Sequence, residues 1–248
     1  MKKAALITGA GSGIGKATAL ELSRQGYFVY LMGRDKDKLE ATAHECRAGA
    51  SLLSCDLKNA AAVEKRVAEI FDNPLYQLEV LVNNAGIFAT HSSEQGSDEL
   101  WREQFEVNVL GPVRLTRSLL PYFKKYGKGS IVNVASTLGL RPTAITGAYS
   151  AAKAAMVNWT QSLAQELGGA GIRVNCVCPG IVDTPIHGFH ALAEKEKVAA
   201  LAGMSTLQPL GRIGEAAEIA RSIAFLAGES SSWTTGAVLA VDGGIQIA

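Results

Sequence analysis

Three side chains near the middle of the chain could do chemistry together: the hydroxyl of Ser136, the phenol of Tyr149 and the amine of Lys153. Tyr149 and Lys153 stand four apart in TyrSerAlaAlaLys, which opens a run of strong helix formers, so both lie on one helical face and their side chains can meet. A free phenol titrates near ~10 and is a poor proton donor or acceptor at neutral pH. Lowering it by about three units requires roughly 4 kcal/mol, whereas an exposed ion pair supplies about 0 to 1 kcal/mol. An ammonium can therefore do this only in a water-poor pocket with help from further positive charge, such as a cationic nicotinamide ring. In that setting Ser136 would hold a carbonyl oxygen while Tyr149 gives or takes its proton and a hydride moves on the other side. Taken alone, the same three residues also read as a helix surface and a loop.

The elements that must position them follow a strand-helix alternation. IleValAsnValAla (131–135), opened by Gly129, is the pattern of a buried parallel strand, and Ser136 follows at its carboxyl end, where open α/β sheets bind ligands. Residues 4–8 predict a first strand ending at Thr8, followed by the loop Gly9, Ala10, Gly11, Ser12, Gly13, Ile14, Gly15 and then a helical run. A glycine loop between a strand and a helix can cradle a phosphate with backbone N–H groups and the helix dipole. The spacing is Thr-Gly-x-x-x-Gly-x-Gly rather than G-x-G-x-x-G, because position 14 is Ile. A tight turn without a ligand is the plain alternative.

Residues 27–32 predict a second strand, followed by Gly33 and Arg34. A small residue in the slot that is acidic in NAD-binding folds, then a guanidinium, favours NADP(H), since Arg can grip a 2′-phosphate that a carboxylate would repel. Asp35 keeps NAD(H) as the alternative if the turn is shifted by one residue. Further strands are predicted at 51–55, closed by Asp56 and Leu57, at 79–83, ending in AsnAsnAlaGly with Asn84, Ala85 and Gly86, at 171–180 and at 237–244. Helices are predicted at 36–48, at 59–72 with Asn59 as cap, at 98–111 and 112–123 with Asn108 between them, from Tyr149 to about 167, and at 215–227. Residues 186–206, helical in composition but loosely ordered, suit a lid over a pocket. The fold class is α/β: a single doubly wound Rossmann-type domain spanning 1–248, with a seven-stranded parallel sheet and helices on both faces.

Composition narrows the function classes. The formal net charge of +1 and the lack of a Lys/Arg block argue against nucleic acid and membrane partners. No apolar run approaches the ~18 residues of a membrane helix and none reads as a secretory leader, so a soluble, cytoplasmic protein is expected. Cys176 and Cys178 share a strand face and read as buried reduced thiols, while Cys46 and Cys55 are scattered and no second Cys/His pair completes a zinc set. His187 and His190 lack a third ligand and read as solvent-facing, so no metal is expected.

With these motifs placed, nearly the whole chain resembles the short-chain dehydrogenase/reductase family, in the manner of 3-oxoacyl-carrier-protein reductases. The resemblance rests on ThrGlyAlaGlySerGlyIleGly (8–15), Asp56, AsnAsnAlaGly (83–86), Asn108, Ser136, TyrSerAlaAlaLys (149–153), Pro179 and Gly180 with Thr184, and AspGlyGly (242–244). It implies that Tyr149 is the general acid/base, that Lys153 lowers its pKa and binds the nicotinamide ribose, and that Ser136 positions the substrate oxygen. Asn108 would keep a helix kink and a water linking Lys153 to solvent. The resemblance also implies that Asp56 meets the adenine, that Ile181 and Thr184 touch the carboxamide, and that the protein is a homotetramer. One departure is Ser12, where members preferring NADP often carry a base, which leaves Arg34 and Lys16 for the phosphate.

The leading expectation is an NADP(H)-dependent enzyme acting on a small-molecule carbonyl or secondary alcohol. A narrower version reduces a 3-oxoacyl thioester on an acidic carrier protein, with Arg141 as the candidate base at the pocket mouth; a dinucleotide-binding regulator without turnover is the rival from another class. Pocket walls are expected from 87–98, 137–148 and 181–205, mixing Phe88, Leu138, Leu140, Ile145, Ile186 and Phe189 with His91 and Thr146.

Overall fold

The computed structural model describes residues 1–188 and 193–248, with every side chain of these except that of His187. Its strands are β1 (Lys2–Thr8), β2 (Phe28–Gly33), β3 (Ala50–Ser54), β4 (Tyr76–Asn83), β5 (Gly129–Val134), β6 (Ile172–Pro179) and β7 (Val238–Val241). They form one parallel sheet in the order β3, β2, β1, β4, β5, β6, β7, so the winding reverses between β1 and β4. The helices are α1 (Gly13–Arg24), α2 (Lys36–Glu45), α3 (Ala60–Phe71), α4 (Asp98–Phe105), α5 (Gly111–Tyr126), α6 (Gly147–Leu167), α7 (Glu194–Ser205) and α8 (Ala216–Ala227).

The strands are apolar on both faces because both faces are covered. In β1, Ala4 and Leu6 turn to a core that α3, α5 and α6 close with Val63, Val67, Leu115, Leu119, Phe123 and Leu163. Ala5 and Ile7 turn to the opposite core, closed by Leu22 of α1, Leu39 of α2 and Ile219 and Ile223 of α8. Helix starts follow local chemistry: Asp35 accepts from the Lys38 N–H at 3.2 Å, Asn59 from Ala62 at 3.0 Å and Ser97 from Leu100 at 3.2 Å.

The helical expectation over 98–123 needs one correction. The chain does not break into two helices; it runs without a gap from α4 through a single π-turn, Glu106–Leu110, into α5, which extends to Tyr126 with Pro121 inside it. Asn108 sits in the π-turn, where its side chain is buried and bonds across to another loop rather than closing a helical turn. Residues 186–206 hold a short 3-10 turn (Pro185–His187) and α7, which has no buried residue. The central part of that segment, including Phe189 and His190, lies outside the described residues.

Candidate active site

The reversal between β1 and β4 opens a crevice at the carboxyl ends of the strands, the position at which doubly wound sheets take ligands. Two hollows occupy it. The larger, about 630 Å³, is lined by the glycine loop, Asn84, Ser136, Tyr149, Lys153, Pro179, Gly180, Ile181 and Thr184. The smaller, about 250 Å³, is lined by Thr8, Gly11, Gly33, Arg34, Asp56 and Leu57. They meet at Gly9, Ser12, Ala85 and Gly86, which line both, and together give a slot with one apolar end and one charged end. A separate hollow of about 420 Å³ beside Trp233, at the other end of the sheet, contains none of these residues.

Thr8 and Asn84 build the slot more than they face it. The Thr8 hydroxyl accepts the N–H groups of Asn84 at 3.0 Å and Ala85 at 2.9 Å and reaches the Val82 carbonyl at 3.4 Å, while the Asn84 amide donates to the Thr8 carbonyl at 2.8 Å. These bonds stitch β1 to β4 at the reversal and leave the Thr8 side chain little capacity for a ligand. Gly15 does not line the slot either; a Cβ there would overlap the Gly9 carbonyl, so the first turn of α1 lies directly under the loop. Ser12 caps α1 without a side-chain hydrogen bond, so the first N–H groups of that helix have no side-chain acceptor, a fit for an anion such as a pyrophosphate.

At the apolar end, Ser136 lies two residues past β5, and its Oγ accepts from the Leu138 N–H at 3.1 Å. Tyr149 and Lys153 come from the first two turns of α6 and both are buried. Lys153 Nζ donates to the Val134 carbonyl at 2.9 Å and lies 5.7 Å from the centre of the Tyr149 ring. Burial pushes the Tyr149 phenol up to about 12, partly offset by a hydrogen bond with Ser136, with Cys178 acting in the same sense as burial. Burial likewise pushes the Lys153 amine down to about 8, against the pull of Cys176 and Cys178. The protein's own groups thus hold the phenol protonated. A cation placed against the phenol oxygen acts the other way.

Asn108 lies behind this trio. Its Oδ1 accepts the Ile87 N–H at 3.0 Å, and its Nδ2 donates to the Ile87 carbonyl at 3.0 Å and to Gln104 Oε1 at 2.9 Å. Gly86 separates it from Lys153: a Cβ on Gly86 would sit 2.7 Å from Asn108 Oδ1 and 3.5 Å from Lys153 Nζ.

At the charged end, Asp35 is committed to α2, capping Lys38 N–H and pairing with Lys38 Nζ at 3.2 Å. The exposed Arg34 guanidinium has no hydrogen bond or ion pair among the described residues. Lys16, expected as its helper, does not line the slot and pairs with Glu45 at 2.7 Å; Lys38, which sequence reasoning passed over, lines it instead. Asp56 lines the same end while its Oδ1 accepts from the Lys58 N–H at 2.9 Å.

Several expected wall residues are placed elsewhere. Phe88, Leu138, Ile145, Thr146 and Ile186 line the larger hollow, joined by Met204 and Leu207. Leu140 packs instead against the small core of Ala135, Met156, Cys176 and Cys178, and His91 turns to the start of α6. The two thiols are buried, unbridged and 3.9 Å apart, as their shared strand face predicts. Arg141 is not free at the mouth: it donates to the Gln246 carbonyl at 3.1 Å and to that of Ala248. That clasp accompanies a wall residue that no motif signals, Ile245, which follows the short β7.

Comparison with known proteins agrees with this architecture. Residues 3–195 match the family model described as short chain dehydrogenase. Over 247 residues the chain is 37% identical to a 3-oxoacyl-(acyl-carrier-protein) reductase, FabG, of Thermotoga maritima, covering 99% of this chain and 98% of that one. It is 36% identical over 250 residues to a cis-4-hydroxycyclohexanecarboxylate dehydrogenase of Sinomonas cyclohexanicum, covering 98% and 96% of the two chains. The solved structure titled ElxO with NADP bound superposes with a TM-score of 0.92 at 28% identity over the full length of both chains. The protein belongs to the short-chain dehydrogenase/reductase family of oxidoreductases. Among its relatives it is FabG-like.

Proposed function

We propose that the protein transfers a hydride between NADP(H) and a carbonyl or secondary alcohol, with Ser136, Tyr149 and Lys153 handling the proton and Asn108 supporting Lys153 from behind. The observation that carries this reading is the convergence of the three side chains at the apolar end of a slot whose middle is an uncapped, glycine-lined helix start. Bound along the slot, a nicotinamide cofactor supplies or accepts the hydride. Ser136 Oγ holds the substrate oxygen by a hydrogen bond, and the Tyr149 hydroxyl gives it a proton during reduction or takes one during oxidation. Lys153, fixed by the Val134 carbonyl, presents its ammonium to the ribose side of the slot.

The cofactor contacts we assign are Gly9, Gly11, Ser12, Gly13 and Ile14, with Thr8 and Gly15 shaping the loop behind them, then Arg34, Asp56, Leu57, Asn84, Ala85 and Gly86, and Tyr149, Lys153, Pro179, Gly180, Ile181 and Thr184. NADP(H) is preferred to NAD(H) on two grounds: the Arg34 guanidinium has no partner among the described residues, and Asp35, the group that would favour a ribose 2′-hydroxyl, is taken up by α2. Residues 1–248 act as one dinucleotide-binding unit, with 186–206 as a lid; Ile186 and Met204 already reach the hollow. We further propose a cytoplasmic homotetramer, in keeping with the absence among the described residues of any helix long and apolar enough to cross a membrane, and with exposed Phe225, Trp233 and Leu239.

A 3-oxoacyl thioester is the narrower substrate reading. The similarity to the Thermotoga protein supports it, whereas Arg141 does not, since its guanidinium is held by backbone carbonyls. The test is NADPH consumption against a panel of ketones that includes a 3-oxoacyl thioester. Turnover that falls about 10²- to 10⁴-fold in Tyr149→Phe is expected. Undiminished turnover in that variant overturns the mechanism.

A further inference from the structure

We propose that His91 is a positioning residue for Tyr149: a neutral imidazole, accepting through Nε2, caps α6 from a distant loop and fixes the helix start that carries the phenol. The inference rests on the catalytic reading of Tyr149 given above.

The start of α6 lacks the usual local cap. Thr146 precedes it, but its hydroxyl donates to the Thr143 carbonyl at 2.8 Å and shares a bond with Ser150 Oγ at 2.8 Å, so it offers nothing to the first N–H groups. The acceptor comes from 57 residues away: the Ala148 N–H donates to His91 Nε2 at 3.2 Å. The other ring nitrogen, Nδ1, lies 3.0 Å from the Ser92 carbonyl. One protonation state satisfies both contacts, with the proton on Nδ1 and Nε2 bare. An imidazolium would oppose one donor with another and add positive charge to the positive end of a helix.

The imidazole is held where it can do this. Its backbone N–H donates to the Ile145 carbonyl at 2.8 Å, its ring meets Trp101 edge-on at 5.9 Å between centroids, and Gly96 leaves room for it, since a Cβ there would overlap Nδ1. Ile145 is the one non-glycine residue with positive φ among the described residues, at 61°, a conformation that a β-branched side chain adopts only when its surroundings hold it. That side chain is 58% exposed and lines the substrate hollow. Three residues before His91, Phe88 packs its ring perpendicular to that of Tyr149, 4.9 Å between centroids. A single loop therefore touches the helix start, the strained turn before it and the phenol itself. Loss of the Nε2 acceptor leaves the Ala148 N–H without its partner, and a small shift there moves Tyr149, the next residue. Misplacing a catalytic group by about 1 Å costs on the order of 10²-fold.

The experiment compares His91→Phe, which keeps a ring without an acceptor, with His91→Gln, which restores an acceptor near Nε2. His91→Phe is expected to lower kcat about 10- to 100-fold with the NADPH Kd and the ketone KM changed less than twofold, and His91→Gln to recover most of kcat. In the unaltered protein, ¹⁵N shifts of the imidazole at neutral pH are expected to show Nδ1 protonated and Nε2 bare, a readout that holds even if His91→Phe fails to fold. Full kcat in His91→Phe, no recovery in His91→Gln, or a proton on Nε2 overturns the proposal. If the unaltered protein turns over no carbonyl while Nε2 is bare, the catalytic reading fails and the cap stands. If Tyr149→Phe is inactive and His91→Phe is not impaired, the reverse holds.

Discussion

Lys153 stands over the Tyr149 ring, with Nζ 5.7 Å from the ring centre and anchored 2.9 Å from the Val134 carbonyl. The amine is thus fixed by backbone rather than by the phenol oxygen, which leaves that oxygen to Ser136 and to whatever substrate enters. Both groups carry the cost of burial, in opposite directions.

That cost should be visible in stability. Burial pushes Lys153 down to about 8 in the folded protein, from 10.5 for a free lysine, so between these limits the unfolded chain binds more protons and stability rises with pH. Below about pH 8 both states are charged and the full penalty is present. Relative to Lys153→Met, the native protein should therefore gain on the order of 2 to 3 kcal/mol between pH 7 and 10 at ~1.36 kcal/mol per unit, measured as urea midpoints. Parallel pH profiles for the two proteins would mean that Lys153 is not held low. Tyr149 works in the other sense only above pH 10, where the folded state holds the proton longer.

Arg34→Ala tests the charged end of the slot. It should weaken NADPH binding by about 1.5 to 3 kcal/mol, the range for a lost charge-assisted hydrogen bond, and leave NADH nearly untouched. Fluorescence titration of both cofactors decides it: equal losses refute the 2′-phosphate assignment.

Gly86→Ala places a methyl 2.7 Å from Asn108 Oδ1, in the space between the π-turn and Lys153. The Ile87 and Gln104 bonds hold Asn108 too firmly to yield cheaply, so a loss of about 1 to 3 kcal/mol in stability is expected, together with a fall in kcat. Calorimetry and turnover on the same preparation check this. A variant with native stability and kcat would show that Asn108 is free to move.

Phe123→Ala serves as the contrast. It empties a fully buried position against Gly129 at the amino end of β5, far from the slot, and should cost about 3 to 5 kcal/mol while the folded fraction keeps its kcat. Denaturant midpoints combined with activity per folded molecule separate the two effects.

The strands were legible because burial on both faces leaves runs such as IleValAsnVal and LeuIleThr that few other elements produce. Asn59 as a cap, the shared face of Cys176 and Cys178, and Ser136 at the end of its strand follow from local rules and stand in the structure. Contacts between distant segments were not legible. The π-turn at Asn108 depends on a bond to Ile87, 21 residues away, and Thr8 is spent on Asn84 and Ala85 rather than on a ligand. Whether Lys16 or Lys38 faces the slot depends on the α1 and α2 directions, and Glu45 rather than any motif decides the fate of Lys16. The clasp of Arg141 on Gln246, which accompanies Ile245 in the pocket wall, joins residues 105 apart and has no signature in either segment.

The reversal of winding divides labour along the chain. Everything proposed to grip the dinucleotide phosphates and adenosine precedes α5, and the side chains proposed to move the proton follow it. The hinge between those inheritances is the crevice itself, walled by β1 on one bank and by β4, β5 and β6 on the other. Changes at Ile145, Ile186 and Ile245, which line the larger hollow, can therefore reshape that hollow while leaving the glycine loop and Arg34 untouched.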